Sequence, residues 1–455
     1  MSRSAAAVQR VIKAYDVRGL VGEELDDAFV REVGASFARL MRDGENSTQV
    51  VLGYDMRASS PVLAAAFAEG VMDQGLDVVR IGLASTDQLY FASGLLNCPG
   101  AMFTASHNPA AYNGIKLCRA GAKPVGKDTG LTTISDEVIE GVPGYDGTRG
   151  TLSDRDVLVD YGQFLRSLVD VGSLRPLNVA VDAGNGMAGH TTPAVLGPIP
   201  SMTVFPLYFE LDGTFPNHEA NPLEPANLVD LQEFVVQTGA DIGLAFDGDA
   251  DRVFLVDEQG RPVTGSLTTA LVASTVLGHQ PGATVIHNLI CSRAVPEVIT
   301  EHGGRAVRSR VGHSYIKELM ATEGAAFAGE HSGHYYFADN YRADSGLIAA
   351  LLVLEALSTS GGTLSDLLTP FDRYAASGEV NFSVDDPAAV VERVSLAYAA
   401  TGSQDTLDGL TVDMGAWWFN LRPSNTEPLL RLNLEAATAT DCADRLAEVS
   451  ALIAQ

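Results

Sequence analysis

Basic residues are scarce in this 455-residue chain: 30 lysines and arginines stand against 57 aspartates and glutamates, a formal net charge of -27. A surface of that sign repels free DNA, RNA and anionic membranes, so no nucleic-acid partner and no membrane partner is expected. Cysteine is scarcer still. The four present (Cys98, Cys118, Cys291, Cys442) form no CxxC pair, which leaves neither a disulfide framework nor a cysteine-rich zinc site and reads as four small buried apolar residues. Long hydrophobic runs are missing as well. The strongest, Leu347 to Leu357, contains Glu355 and is too short to span a bilayer. The segment MSRSAAAVQRVIKAYDVRG has no long apolar core and does not read as a secretory signal, so a cytoplasmic location is expected. What remains is 46% hydrophobic and 19% charged, the composition of a globular protein. At roughly 150 residues per domain the length allows about three domains, with two or four within reach.

The chain repeats a pattern three times. An apolar strand ends in a polar turn (QVVLGYDMRASSP, LNVAVDAGNGMAG, ATVIHNLICSRAV), a second strand follows (DVVRIGL, MTVFPLYFE, GRAVRSRVG), and a third closes each unit (GAMFTASHNP, ADIGLAFDGDADR, AAFAGEHSGH). Periodic stretches such as Pro61 to Gln74 and Leu228 to Thr238 predict amphipathic helices between them. Strands alternating with helices argue for largely parallel or mixed sheets covered by helices. Turn-rich segments place boundaries near Gly141–Gly150, Asp257–Gly265 and Ser358–Pro370. The tail from about Phe371, with strands Glu379 to Val384 and Leu429 to Leu434 and a helix from about Thr440, is too short for another copy and reads as a smaller α+β domain. The division is therefore 1–150, 151–258, 259–368 and 369–455.

Polar clusters fall at the ends of the third strands, where ligands sit in open α/β sheets. In Thr104-Ala105-Ser106-His107-Asn108-Pro109, followed by Lys116, a hydroxyl on a tight loop can serve as a nucleophile or a phosphate carrier, or cap an Asn-Pro turn. In Asp247-Gly248-Asp249-Ala250-Asp251-Arg252, three carboxylates at alternate positions can turn toward one hard cation, and without a cation their pKa values would rise. An EF-hand is rejected, because Arg252 stands where that loop needs glycine and Val253 to Val256 reads as a strand. Gly329-Glu330-His331-Ser332-Gly333-His334 offers acceptors and donors suited to the vicinal hydroxyls of a sugar, with no HExxH-like spacing for metal binding by its histidines. Arg422-Pro423-Ser424-Asn425-Thr426-Glu427-Pro428 has the makings of an anion nest for a phosphate. Together they point to phosphoryl transfer, which needs positioning and charge neutralisation more than covalent machinery.

From KAYDVRG (Lys13 to Gly19) to RPSNTEP, nearly the whole chain, these motifs in this order resemble the α-D-phosphohexomutase family and, within it, the phosphomannomutase/phosphoglucomutase group. The resemblance implies three related α/β domains with mixed sheets and a smaller C-terminal α+β domain like the TATA-binding-protein fold, around a central cleft. The domains would carry, in order, a phosphoserine loop, a metal-binding loop, a sugar-binding loop and a phosphate-binding loop. It implies that Ser106 is phosphorylated in the resting enzyme, and that Asp247, Asp249 and Asp251, with a phosphoserine oxygen, hold one Mg²⁺ per chain. Glu330 and Ser332 would read the sugar's 3- and 4-hydroxyls, and Arg422, Ser424, Asn425 and Thr426 would clamp the phosphate that is not transferred. Tyr15, Arg18, His107, Lys116, Arg252, His313 and His334 would line the site, with either Lys116 or His107 assisting proton transfer. The implied activity interconverts mannose (and/or glucose) 1-phosphate and 6-phosphate through a hexose 1,6-bisphosphate, which also acts as activator, in a monomer or homodimer. His331 fits a mannose/glucose enzyme. A phosphoglucosamine mutase usually has Gln there and Gly at the position of Ala250. The chain departs from the family at Ser85-Thr86-Asp87, where a Thr-Pro pair is common. A Mg²⁺-dependent sugar phosphatase would share the aspartates and the clamp, and a non-catalytic sugar-phosphate sensor would be expected to have lost Ser106 or an aspartate.

Overall fold

The computed structural model of the chain describes residues 4–423 and 429–454. It divides into two compact units, Met1–Thr264 with Ser332–Leu367, and Gly265–His331 with Leu368–Gln455. The described strands form four sheets. In the first unit, one sheet runs in the order Val17–Leu20, Tyr112–Arg119, Gly100–Phe103, Gln49–Tyr54, Asp77–Leu83, Leu152–Asp154, and another in the order Pro262–Val263, Val253–Asp257, Ile242–Phe246, Leu177–Asp182, Met202–Leu207. The first unit also contains the antiparallel hairpin Tyr335–Phe337 and Ala343–Asp344.

The expected repetition is present as topology. In the first sheet Gln49–Tyr54 pairs in parallel with both Asp77–Leu83 and Gly100–Phe103. In the second, Leu177–Asp182 does the same with Met202–Leu207 and Ile242–Phe246. In the second unit, Thr284–Asn288 does so with Arg305–Ser309 and Phe327–Gly329. Each time the first strand is central, the second lies on one side and the third on the other. The third strands are buried at every position, as expected for strands covered on both faces. They hold the polar loops rigidly. Phe103, one residue before Thr104, is fully buried and meets Phe67 edge-on at 5.6 Å between ring centroids.

The C-terminal portion of the second unit is an antiparallel sheet ordered Ala375–Phe382, Leu430–Ala436, Trp417–Pro423, Leu410–Asp413, Ser403–Asp405, with helices Pro387–Tyr398 and Ala439–Ile453 packed on a core of Tyr398, Trp417 and Phe419. Its first strand begins four residues earlier than the apolar pattern predicts. Ala375-Ala376-Ser377-Gly378 has little strand propensity, and a register shift between Ala376 and Glu379 breaks the alternation that would have revealed it. The apolar run Leu347 to Leu357 lies within the helix Gly346–Ser360, capped by the Ser345 side chain and buried along most of its length. No helix among the described residues is long and apolar enough to cross a membrane.

Candidate active site

In the first unit the serine loop and the aspartate loop meet. Ser106, 5% exposed, donates from Oγ to Asp247 Oδ2 at 2.7 Å, and its hydroxyl also lies 3.3 Å from Arg252 Nη2 and from His107 Nδ1. The close approach depends on Gly248: a Cβ there would stand 2.4 Å from the carbonyl oxygen of Ser106. Ser106 has φ +51°, a left-handed conformation that costs a non-glycine residue roughly 1–2 kcal/mol. The loop is held from behind by the Thr104 hydroxyl, which accepts from the Ser106 amide at 2.9 Å.

The three aspartates are fully or almost fully buried and offer oxygens within 4.8 Å of one another. Lys116 Nζ donates to Asp249 Oδ2 at 2.7 Å and to Asp251 Oδ2 at 2.6 Å. Arg252 pairs with Asp247 at 2.8 Å. Three carboxylates thus face two cations. Burial pushes the Asp247 carboxyl up to about 8 against the pull of Arg252, with Asp249 and Asp251 adding to the rise. For Asp249 burial works upward, but the Lys116 charge and hydrogen bonds from Lys116 and Thr86 hold it well below the usual carboxylate range. Burial also opposes the Lys116 charge, yet Asp249 and Asp251 outweigh it and keep the ammonium protonated well above its ordinary pKa. His107 is the reverse case. Burial, then Arg252 and Arg18, hold it well below its usual value, and its Nδ1 lies 2.5 Å from Arg252 Nη2, so the ring is neutral and accepts at that nitrogen.

The donor set fits a hard divalent cation. Oδ1 of Asp249 and Oδ1 of Asp251 are buried and accept no hydrogen bond, a costly arrangement for an oxygen cut off from water unless something positive meets it. Lys116 and Thr86 occupy the opposite oxygens and so aim the open ones. Both oxygens of Asp247 are engaged, Oδ1 by the Arg252 amide at 3.2 Å and Oδ2 by Ser106 and Arg252. A second grouping, Asp251, His334 and Asp344, shares Asp251. His334 Nε2 lies 3.8 Å from Asp251 Oδ1, and its Nδ1 is 3.2 Å from Ser332 Oγ. Arg18 joins this set by donating to Asn108 Oδ1 of the serine loop at 2.5 Å, and Tyr15 lies on the bend just before the strand that carries Arg18.

The second unit holds the other expected residues. Glu330 is buried, and its Oε2 accepts from Asn288 Nδ2 at 3.3 Å and from the Gly312 amide at 3.4 Å. That amide immediately precedes His313, the first residue of the helix His313–Glu323. His331 Nδ1 is 3.2 Å from Ser266 Oγ, and burial lowers its pKa, with Glu379 opposing and Arg422 assisting. Arg422 is 4% exposed in its side chain and pairs with Glu379 at 3.0 Å. Ser424, Asn425 and Thr426 lie outside the described residues.

Four family descriptions match the chain in order: phosphoglucomutase/phosphomannomutase alpha/beta/alpha domain I over residues 9–141, domain II over 160–260, domain III over 264–374 and the C-terminal domain over 379–452. The chain belongs to the phosphoglucomutase/phosphomannomutase family. Among relatives in this family, it is 41% identical over 426 residues to the "phosphohexose mutases" of Xanthomonas campestris pv. campestris, covering 93% of this chain and 94% of the relative. A phosphomannomutase of Escherichia coli is 40% identical over 441 residues, covering 94% and 95%. A crystal structure of a phosphoglucomutase/phosphomannomutase family protein from Burkholderia thailandensis superposes with a TM-score of 0.89 at 30% identity, covering 98% of this chain and 97% of that one.

Sequence reasoning missed two parts of this family site. One is Arg57, whose guanidinium lies beneath the serine loop; the signal was Tyr54-Asp55-Met56-Arg57, a polar turn at the end of a first strand. The other lies in the departure from the family pattern. Thr86 donates from Oγ1 to Asp249 Oδ2 at 2.5 Å and from its amide to the Asp249 carbonyl at 3.0 Å. Asp87, fully buried, accepts from Ser85, Tyr161 and Ser345, the last two at 2.6 Å. The unusual rim is a support for the aspartate loop.

Proposed function

We propose that the chain is a phosphohexomutase that interconverts hexose 1-phosphate and hexose 6-phosphate, with mannose and/or glucose as the sugar, by way of a phosphoserine at Ser106. The observation that carries this reading is the Ser106 hydroxyl held 2.7 Å from Asp247 beside two aspartates with open, buried oxygens. The names of the relatives support the substrate class, and the four-domain division read from the sequence goes with it. In the first transfer, the bond between phosphorus and the Ser106 oxygen breaks and a bond to the sugar's 6-hydroxyl oxygen forms; that hydroxyl loses its proton and the Ser106 oxygen gains one, so that the serine ends as a free hydroxyl. In the second, Ser106 regains the phosphoryl group from the 1-position of the bisphosphate. Asp247, Asp249 and Asp251 would hold Mg²⁺, which supplies charge neutralisation and polarisation at the phosphoryl oxygens. Arg252 and Lys116 balance the carboxylates, so the triad with its two cations and a divalent ion accommodates a dianionic phosphoserine. Lys116, protonated, is placed to give a proton rather than take one, and neutral His107 orients the hydroxyl beside it. Glu330, Ser332, His313 and His334 are assigned to the sugar, and Tyr15, Arg18 and Arg422 with Ser424, Asn425 and Thr426 to the phosphates. Hexose 1,6-bisphosphate would restore phosphate to the resting serine.

Two measurements test this. Intact-mass analysis of the protein treated with hexose 1,6-bisphosphate should find one added phosphate mapping to Ser106. Ser106→Ala should lower mutase turnover by at least about ten-thousandfold, as loss of a covalent nucleophile does, with the fold intact by circular dichroism. Wild-type-like turnover in that variant would refute the assignment. Release of inorganic phosphate in place of isomerised sugar phosphate would favour the phosphatase, and a preference for glucosamine phosphates the phosphoglucosamine mutase.

A further inference from the structure

The carrier loop is built around a cation that takes no part in the cluster above. Arg57 is 2% exposed. Its Nη1 donates to the carbonyl oxygens of Pro109 at 2.9 Å and Tyr112 at 3.1 Å, and its Nη2 to those of Ser106 at 2.9 Å and Asn108 at 2.6 Å. All four Nη hydrogens therefore meet backbone carbonyls of one short segment. The Phe215 ring covers the guanidinium at 5.1 Å. Asp55 Oδ2 lies 3.3 Å from Arg57 Nε, while Asp55 Oδ1 accepts from the Arg57 amide at 3.0 Å and from Ser60 Oγ at 2.6 Å. Asn113, just past the loop, ties back to the same segment through Ser59 and Ser60.

Converging carbonyl dipoles repel one another, and a residue at positive φ relaxes unless its surroundings over-determine it. Only a planar fork with donors in fixed directions satisfies four carbonyls at once; an ammonium has three donors at a single point. We propose that Arg57 is a positioning residue for phosphoryl transfer: by binding four carbonyls of residues 106–112 it holds Ser106 in its left-handed conformation with Oγ aimed at the aspartate triad. The proposal rests on the phosphoserine reading and adds to it a device that acts only through the backbone.

The test uses the full-length protein and Mg²⁺, with hexose 1,6-bisphosphate as phosphoryl donor. Transfer to Ser106 is followed by intact mass, and steady-state turnover is measured alongside. For Arg57→Lys, kcat and the rate of Ser106 phosphorylation should fall together by about a hundredfold, the cost of a misplacement near 1 Å, while KM stays within about threefold because no sugar or phosphate contact is lost. A destabilised fold alone would lower the active fraction without slowing phosphorylation of the folded molecules. If Arg57→Lys does not fold, Asp55→Asn, which keeps the guanidinium and removes its counter-charge, should slow the same half-reaction about tenfold. Wild-type phosphorylation rates in a folded Arg57→Lys, or in Asp55→Asn where that is the variant read, would overturn the role of Arg57. A wild-type protein that never acquires phosphate at Ser106 would overturn the phosphoserine reading first, and this proposal with it.

Discussion

The two units solve their turns differently. All ten non-glycine residues with positive φ among the described residues lie in the first unit, Ser106 and Ala250 among them, and the described part of the second unit makes its positive-φ turns with glycine alone. The charges are grouped differently too. The first unit packs Asp247, Asp249 and Asp251 against Lys116 and Arg252 at hydrogen-bond distance, whereas in the second a single carboxylate, Glu379, faces two cations, Arg422 and Arg431. Strain and dense charge persist only where surrounding structure holds them, and they gather where atoms must be fixed to fractions of an ångström. On the proposed reading the first unit fixes the transferred group, while the second contributes Glu330 and His313 for the sugar and Arg422 for a phosphate. Damage to them should then appear in different kinetic constants.

The largest effects sharpen that contrast. Asp249→Asn removes one carboxylate charge and one aimed oxygen, so Mg²⁺ affinity should fall by at least about a hundredfold, since even supporting residues of metal sites are worth ten- to a hundredfold. Titration of activity with Mg²⁺ reads this directly, with KM for the sugar phosphate little changed. Glu330→Gln should leave the Mg²⁺ titration in place and lower kcat/KM by roughly ten- to a hundredfold through KM, the value of a hydrogen bond to a charged acceptor. If both variants shift the same constant, the division of labour between the units is wrong.

A smaller effect concerns the support behind the aspartate loop. Burial raises the Asp87 carboxyl to about 6, against the hydrogen bonds from Ser345, Ser85 and Tyr161. An acid whose folded pKa lies above its unfolded value keeps its proton longer in the folded state, so its contribution to stability declines as pH rises from about 4 to about 6. The accumulated cost is roughly 3 kcal/mol at neutral pH. Asp87→Asn cannot titrate. Urea unfolding at pH 4.5 and pH 7 should show the variant gaining on the wild type as pH rises, by roughly 2 kcal/mol of that total, since the unfolded carboxyl is already largely ionised at pH 4.5. A pH-independent gap would mean that Asp87 does not titrate in this range.

How legible the site was follows from how its parts are encoded. The serine, the aspartates and the sugar loop announce themselves because reactive residue types crowd into short segments at the ends of apolar strands, and strand order follows from the repeat. Arg57, Thr86 and Asp87 were not legible for the opposite reason. Arg57 and the neighbours Thr86 and Asp87 take their roles from partners 49 to 258 residues away in the chain. The polar turn Tyr54-Asp55-Met56-Arg57 marks the place of the buried arginine, but its role could not be read there, because the four carbonyls it binds are backbone atoms. Ala250 was noted as the place where a related mutase has glycine, but its left-handed backbone could not be read from the letters.

That alanine offers the finest test of the contrast. Ala250 is fully buried at φ +59° between Asp249 and Asp251, and its amide closes a tight turn on the Asp247 carbonyl at 3.1 Å. Glycine would relieve a strain of roughly 1–2 kcal/mol and add unfolded-chain entropy worth roughly 0.5–1 kcal/mol, a balance of at most about 1.5 kcal/mol in favour of glycine. Ala250→Gly should therefore shift the unfolding midpoint only slightly and change Mg²⁺ affinity and kcat by less than about threefold, because Lys116 and Thr86 already aim the flanking carboxylates. A tenfold loss of Mg²⁺ affinity at unchanged stability would show instead that the methyl group itself stiffens the turn. The strain of the first unit would then be a working part of its metal site and not merely tolerated by it.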